Sequence, residues 1–267
     1  MRKLVVSALI VVGLAVAADF GAATVAEYTL AQQLRERLAL ASDPSVRING
    51  VPFLTQALAG RYSAIDIRAT GLAVDPLRDV AVEATLHDVD APLSEVIAGD
   101  VQSVRAARVD GQVRIKDSDL GRAIGIEDLR IQQPSDKEIK ELLPTGTQLG
   151  GQAAIRMVAT TDLASRRIEI IGIGVIELTG DLVRITIMDV RLARDDVGTA
   201  NLPREIRQLL LTTLSTDVKP GRLPFAVTPT GVSVETGSLI VAGTASNVSV
   251  RQTATHGRRP QPILILR

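Results

Sequence analysis

The sequence contains no cysteine and no tryptophan, and it has only two histidines, two tyrosines and three phenylalanines. The absence of cysteine excludes disulfides, thiolate zinc sites, iron–sulfur clusters and cysteine nucleophiles. Two histidines leave few members for a histidine metal site or a catalytic triad, so we expect no metal site and no cofactor. Aromatic residues are 2% of the chain, too few for the stacking surfaces that bind single-stranded nucleic acid.

The chain also lacks an excess of charge of either sign. Thirty basic residues balance thirty acidic ones, which gives a formal net charge of +0. No basic surplus exists to drive binding to a phosphate backbone, so we expect no nucleic-acid partner. Hydrophobic residues make up 46% of the 267 residues and charged residues 22%, which is typical of a folded globular protein rather than a disordered one.

The N-terminus is a short basic start followed by an apolar run. After Arg2 and Lys3 there is no charge from Leu4 to Ala18, which is short for a full membrane span. Two interpretations remain open: a signal peptide cleaved after Ala17, or an uncleaved anchor. Either one exports the rest of the chain. We therefore divide the sequence into a signal peptide or signal anchor (1–23), one main domain (24–250) and a polar C-terminal tail (251–267).

The pattern of the main domain predicts an α+β fold. Leu30, Leu34 and Leu38 recur at helical spacing within a helix at 24–41, whereas most of the chain beyond that helix alternates apolar and polar residues as half-buried strands do. Shorter helices are predicted at 92–98, 117–124, 134–143 and 202–214, and a turn at Asp110-Gly111. We expect one continuous domain with a long antiparallel sheet and a few helices.

The predicted strand at 168–176 is apolar on both faces and contains Gly172 and Gly174. Such a strand must be covered on both sides, by helices, by a second sheet or by a bound apolar molecule. Glycine in a strand permits curvature or the close approach of another group. The strand is therefore either a central strand bent over a helix or the wall of a lipid groove, and a curved sheet around a helix would combine the two.

No constellation of residues points to catalysis. The motifs of nucleophile elbows, phosphate-binding loops and calcium loops are absent. His87 shares the polar side of its strand with Glu83 and Thr85, and the scattered aspartates fit turns and helix caps. Arg166-Arg167 and Arg258-Arg259 are either solvated surface charges or contacts for an anionic head group. The apolar loop at 223–225 either leads into the last strands or lies at a membrane surface. We expect a protein that is not an enzyme; a hydrolase or transferase that uses scattered aspartates is the remaining enzymatic alternative.

Two segments resemble a known family. One is Ile48-Asn49-Gly50-Val51-Pro52-Phe53-Leu54-Thr55-Gln56 with the following Gly60-Arg61-Tyr62 and Ile65-Asp66-Ile67; the other runs from Leu223-Pro224-Phe225 to Gly243. Both resemble the LmeA-like phospholipid-binding family of actinobacterial cell envelopes, over about residues 24–250. The resemblance implies a tubular lipid-binding fold, in which a long curved antiparallel sheet wraps around the N-terminal helix.

The resemblance also implies a function in the periplasm or cell envelope. Its best-known member binds phospholipid and supports elongation of the mannan chain of lipomannan. The implied partners are phospholipid, the membrane surface and, as a further partner, an envelope glycosyltransferase. The alternative is an exported scaffold that contacts such a glycosyltransferase without bound lipid. A continuous apolar tunnel would favour lipid binding, and a filled interior would favour the scaffold.

The family supplies no site residues, so the candidate lipid contacts come from apolar position alone. A tunnel of aliphatic side chains would bind an acyl chain with ~0.8 kcal/mol for each buried CH₂, although an ordinary aliphatic core has the same composition. The candidate lipid-binding residues are Leu34, Leu38, Phe53, Leu54, Ile65, Ile67, Ile171, Ile173, Val175, Ile206, Leu210 and Phe225.

Overall fold

A computed structural model describes residues 2–74, 77–94, 104–126, 128–142, 151–163, 166–179, 182–194, 198–200, 204–218 and 227–249. Within these residues the helices are α1 (Arg2–Leu38), α2 (Phe53–Ala59), α3 (Asp117–Ile124), α4 (Asp136–Leu142) and α5 (Arg204–Leu214). The strands are β1 (Ser45–Asn49), β2 (Arg61–Val74), β3 (Leu77–Asp90), β4 (Arg105–Lys116), β5 (Arg130–Gln132), β6 (Gln152–Leu163), β7 (Arg166–Thr179), β8 (Leu182–Arg194), β9 (Gly198–Ala200), β10 (Thr216–Val218), β11 (Thr228–Glu235) and β12 (Ser238–Ser249). The fold is α+β, as the sequence predicted.

The strands form two antiparallel sheets. The first, sheet A, has the order β1-β2-β3-β4-β12-β11, and the second, sheet B, has the order β10-β8-β7-β6-β5 with β9 beside β8. Strand β12 returns from the end of the chain to pair with β4 along nearly its whole length. This long-range pairing completes sheet A and leaves β5 to β10 to build a separate layer. The sequence predicted one long sheet and did not reveal this division.

An aliphatic core fills the space between the two sheets. Ile155, Ile176 and Leu239 are fully buried there, together with Leu120 of α3. Both sheets contribute alternate residues, because successive side chains of a strand point to opposite faces. Burial of aliphatic side chains, at roughly 25 cal/mol for each Å² of apolar surface, stabilises this core without disulfides or aromatic stacking.

Strand β7 is covered on both faces, as its sequence predicted. Ile170 and Ile176 face the core between the sheets, whereas Ile171 and Ile173 face the other way and pack with Val158 and Leu142. The cover on this second side is therefore helix α4.

The two glycines of β7 allow close approach, as glycine in a strand suggested. A Cβ at Gly172 would lie 3.3 Å from Leu214 Cδ1 of α5, and one at Gly174 would overlap the Thr186 carbonyl of β8. Gly174 also lies at an irregularity in the pairing of β7 with β8.

The predicted turn at Asp110-Gly111 is wrong. Both residues lie in the middle of β4, paired on one side with β3 and on the other with β12. Asp110 binds His87 at 3.0 Å and Arg108 at 3.1 Å on the polar outer face of sheet A. A Cβ at Gly111 would lie 3.4 Å from the Glu83 carbonyl oxygen. The two-sided pairing of the strand overrides the local preference of an Asp-Gly pair for a turn.

Sheet A bends at one end, where the inward-facing residues of a strand are three apart instead of two. In β3 both Leu86 and Val89 face inward, and in β12 both Ala245 and Val248 do so. Asp88 and Asn247, which lie between these residues, have φ values of 49° and 53°. Asp and Asn are the non-glycine residues that best tolerate this conformation. The bend keeps the apolar face directed inward and leaves a concave outer surface at this end.

Candidate functional site: the end of sheet A beside helix α1

Helix α1 has an exposed apolar half and a half that packs on sheet A. Its second half places Ala22, Ala23, Ala26 and Leu30 against a buried cluster on the inner face of the sheet. The cluster contains Ile48, Phe53, Ala57, Tyr62, Val89, Ala91, Ala106, Val109, Ala245 and Val248. Small alanine side chains let the helix approach the sheet closely. The leader and the predicted helix at 24–41 are thus parts of one continuous helix that ends at Leu38.

Taken as a whole, helix α1 (Arg2–Leu38) is long and apolar enough to cross a membrane, although a signal sequence near an N-terminus has the same properties. Leu4 is 76% exposed and Leu14 is 66% exposed. Water around such a run of side chains is unfavourable. This half of the helix therefore requires an apolar environment that the described part of the chain does not provide.

Asp19 joins α1 to the first turn of α2. Its side chain is 7% exposed and accepts hydrogen bonds from the backbone N–H groups of Phe53 and Leu54 at 2.8 and 2.7 Å. Pro52, the residue before α2, provides no side-chain cap, so Asp19 satisfies amides that the start of a helix leaves free. Eight residues further along α1, Glu27 accepts a bond from the Ile48 N–H at 2.7 Å.

The segment at 48–62 that carries the family resemblance has a structural role. Gln56 accepts a hydrogen bond from the Ser63 N–H at 2.9 Å, and its amide lies beside Gly50, which has a φ of 104°. Gly60 ends α2 with a φ of 64°, and a Cβ there would lie 3.4 Å from Pro92. These contacts fix α2 between helix α1 and the end of sheet A.

Two neighbouring clefts open beside α2 and share Arg61, Asp90 and Arg105. The first, here called the apolar cleft, has a volume of about 540 Å³ and is lined by these three residues with Ala57, Leu58, Ala59, Gly60, Ala91, Pro92 and Leu93. The second, the polar cleft, has a volume of about 780 Å³ and is lined by them with Tyr62, Ser63, Asp88, Val89, Ala106, Ala107, Asn247 and Ser249. The three shared charged residues lie at the boundary between the aliphatic wall of one cleft and the polar wall of the other.

The register of sheet A brings the three charged residues together. Arg61 pairs with Asp90, and Asp90 pairs with Arg105 on the next strand. Both arginines are exposed, and within the described residues neither makes an ion pair. The arginines thus flank Asp90 with donor groups directed to solvent. A guanidinium presents its N–H groups in a planar fork that matches the oxygens of a phosphate.

Tyr62 is the buried aromatic residue in the wall of the polar cleft. It is 3% exposed, its ring centroid lies 6.3 Å from that of Phe53, and its hydroxyl has no partner within the described part of the chain. Burial raises the pKa of this hydroxyl above its usual value. Tyr62 therefore remains a neutral, apolar wall at physiological pH.

An apolar tunnel was expected for lipid binding, but the interior formed by the described residues is filled. The space between the sheets is occupied by the side chains of the aliphatic core. The clefts at the end of sheet A are open to solvent, and a third cleft, of about 370 Å³, lies on the polar face of sheet A between Asp66, Glu83 and Gln112. A lipid at this surface would be held in an open groove and not enclosed.

The structure distributes the predicted lipid contacts over several surfaces. Phe53 and Ile65 meet in the cluster beneath α1, and Ile67 is half-buried beyond them on the same face of sheet A. Leu54 is 39% exposed on α2 and Leu38 is 47% exposed near the end of α1, where Leu34 is half-buried.

The remaining predicted contacts lie far from that cluster in the fold. Ile171, Ile173 and Val175 share the face of sheet B that is turned away from the core, whereas Leu210 of α5 packs against the core itself. Phe225 and the side chain of Ile206 lie outside the described residues, as do the loop at 223–225 and Arg258-Arg259.

Sequence reasoning missed the residues that the clefts bring together. Arg61 appeared only within the Gly-Arg-Tyr pattern, and Arg105, Leu58 and Leu93 carried no signal of their own. Arg61 and Arg105 lie 44 positions apart in the sequence, and only the pairing of β2, β3 and β4 makes them neighbours. Within the described residues, no group of three or more Asp, Glu or His side chains is arranged to hold a metal ion.

The model of a protein family described as LmeA-like phospholipid-binding matches residues 17–244, which is most of the chain. The match includes the packed half of α1, helix α2 and the residues that line the apolar cleft. No curated protein and no solved structure is similar enough to match the chain.

Proposed function

The chain belongs to the LmeA-like phospholipid-binding family, and from this premise we propose that it holds a phospholipid in the apolar cleft. One acyl chain lies against Leu58 and Leu93, and the phosphate lies between Arg61 and Arg105. The observation that carries this proposal is the pair of exposed guanidinium groups at the rim of an aliphatic groove, neither of which makes an ion pair with the residues that the structure describes. A volume of about 540 Å³ is within the usual range of ~300–1,000 Å³ for small-molecule sites.

The wider role is proposed from the family and the N-terminal helix. We infer an exported protein of the periplasm or cell envelope, held at the membrane by α1, whose single lipid-binding domain (24–250) precedes a polar tail. Its role is non-enzymatic: it supports elongation of the mannan chain of lipomannan or handles envelope lipid, with an envelope glycosyltransferase as a further partner. The contact between Asp19 and α2 supports the anchor, because a cut after Ala17 would leave Asp19 as the second residue of a frayed new terminus.

One observation favours the alternative of a scaffold without lipid. The space between the two sheets is filled, which is the interior that a scaffold requires. The two functions differ in what occupies the apolar cleft, because a scaffold leaves it to solvent or to a protein partner.

A photoactivatable phospholipid tests the proposed position of the acyl chain. The full-length protein is incubated in vesicles that contain a lipid with a diazirine on one acyl chain, irradiated and digested. We expect adducts in the peptides that carry Leu58 and Leu93, because a burial gain of ~0.8 kcal/mol per CH₂ holds the chain there. The peptide around Met188, which is 57% exposed, serves as the matched control and should remain unlabelled. Adducts confined to residues 4–18 would indicate contact with the bulk bilayer alone and would contradict the proposal.

A further inference from the structure

The uncharged run of α1 is too short to cross a bilayer by itself. Its 15 residues from Leu4 to Ala18 extend about 22 Å at ~1.5 Å per residue. The hydrocarbon core of a bilayer is about 30 Å thick and takes about 20 residues. If Arg2 and Lys3 mark the cytoplasmic boundary, the opposite boundary lies about one helical turn beyond Asp19. Asp19 and the residues hydrogen-bonded to it therefore lie at the edge of the hydrocarbon core.

The structure shows how Asp19 is accommodated at that depth. Both of its side-chain oxygens accept backbone hydrogen bonds, one from Phe53 and one from Leu54. A polar group that is satisfied inside the protein costs far less in an apolar environment than an unpaired one. These bonds also bring the first turn of α2 to the depth of Asp19.

The outer surface around this junction is apolar and has no cover in the described part of the chain. Leu58 is 82% exposed, Val51 75%, Phe20 57% and Leu54 39%. Leu54 and Leu58 are four residues apart on one face of α2. The exposed Thr55 hydroxyl donates to the Pro52 carbonyl at 2.9 Å, so its hydrogen bond is also made within the protein. We call Phe20, Val51, Leu54 and Leu58 the docking patch.

We propose that the docking patch inserts into the outer headgroup layer of the same bilayer that α1 crosses, so that α2 lies at the membrane interface beside the apolar cleft. Arg61 and Arg105 lie next to Leu58 around that cleft, at the level where cations meet lipid phosphates. An uncharged apolar helix face flanked by cations is the usual chemistry of interfacial binding. If a protein partner or a second copy of the chain covered the docking patch instead, the uncharged run of α1 would still be too short to span the bilayer.

This arrangement rests on the anchoring of α1 proposed above, and it also gives the direction from which a lipid enters the apolar cleft. The open side of the apolar cleft adjoins the membrane surface, because Leu58 belongs both to the docking patch and to the cleft wall. A phospholipid therefore enters from the outer leaflet with its acyl chain leading, without crossing water.

Because the chain lacks cysteine, single labels report depth without background. The full-length protein is reconstituted in vesicles as Leu58→Cys, Leu14→Cys or Met188→Cys, each carrying an environment-sensitive dye. Quenching is measured with aqueous iodide and with a phospholipid that bears a nitroxide near its headgroup. We expect the label at position 58 to be quenched by the lipid nitroxide and to be about fivefold less sensitive to iodide than the label at position 188.

The outcomes separate docking from anchoring. A label at 58 as accessible to iodide as the one at 188, with the label at 14 inside the bilayer, overturns docking and leaves the anchor intact. A label at 14 that is accessible to iodide overturns both. Shielding at 58 without nitroxide quenching indicates a protein cover and also overturns docking. In a second experiment the label is placed at Val51→Cys, with and without the double substitution Leu54→Asp and Leu58→Asp. We expect the double substitution to remove most of the nitroxide quenching of the label at position 51.

Discussion

Replacing Arg61→Glu together with Arg105→Glu weakens phospholipid binding by about a hundredfold, at roughly tenfold for each exposed guanidinium after solvent screening. The two arginines lie on neighbouring sides of Asp90, and the reversal turns a net positive trio into a strongly negative one. A phosphate that accepted bonds from both forks is then repelled. The measurement is a binding titration of the full-length protein with a fluorescent phospholipid below its aggregation threshold.

A charge-matched control separates a site effect from a general effect of net charge. Arg47 and Arg204 are exposed residues that line neither cleft, so Arg47→Glu with Arg204→Glu should change lipid affinity less than threefold. Equal losses in the two double variants would show that only the overall field matters. An unchanged affinity in the Arg61 and Arg105 variant would remove the phosphate from the proposed position.

Replacing Asp119→Ala lowers the free energy of unfolding by about 3 kcal/mol. Asp119 is 1% exposed at the start of α3, and one of its oxygens accepts bonds from the N–H groups of Arg78 and Asp79 at 2.7 and 2.9 Å. Its other oxygen binds Arg122. Alanine leaves the two partly buried N–H donors of Arg78 and Asp79 unpaired where α3 meets β3. Asp128→Ala, at an exposed position, should cost about 0.5 kcal/mol or less. Urea unfolding of the full chain in mild detergent, followed by circular dichroism, gives the difference.

The cost of Asp119→Ala should depend on pH. Burial favours the neutral form of Asp119, but the amides of Asp79 and Arg78 and the Arg122 guanidinium outweigh burial and lower the pKa of the carboxyl below its usual value. A lowered folded-state pKa gives stability that is complete above the unfolded value of about 3.9 and is lost as the pH falls through the folded one. The difference between the native protein and the alanine variant should be constant above about pH 5 and shrink below about pH 4. A difference that grew on acidification would contradict this assignment.

The sequence predicted the elements of the fold better than their arrangement. Strand β7 contains the apolar strand predicted at 168–176, and α3 lies at 117–124, where a helix was predicted. The division into two sheets depends on the pairing of β12 with β4, which no local pattern encodes. The same long-range pairing turned Asp110-Gly111 from a predicted turn into the middle of a strand.

The candidate site was harder to predict because apolar position does not say which surface a residue faces. Ile170 and Ile171 are adjacent and equally hydrophobic, yet one faces the core and the other faces α4. The arginines at the clefts are ordinary charges in the sequence, and they become a pair only through the register of three strands. The motif around Phe53 and Gln56 lies at the same end of the molecule as the candidate site, because its contacts position α2 there.

The central claim is that the protein holds a phospholipid, and the most direct measurement is native mass spectrometry of the full-length chain purified from membranes in mild detergent. We predict a population heavier than the polypeptide by the mass of one phospholipid, with the added mass recovered as lipid on extraction and lost in the Arg61→Glu, Arg105→Glu variant. A native protein that carries no lipid under conditions where the fold and α1 are intact would contradict the claim and favour the scaffold.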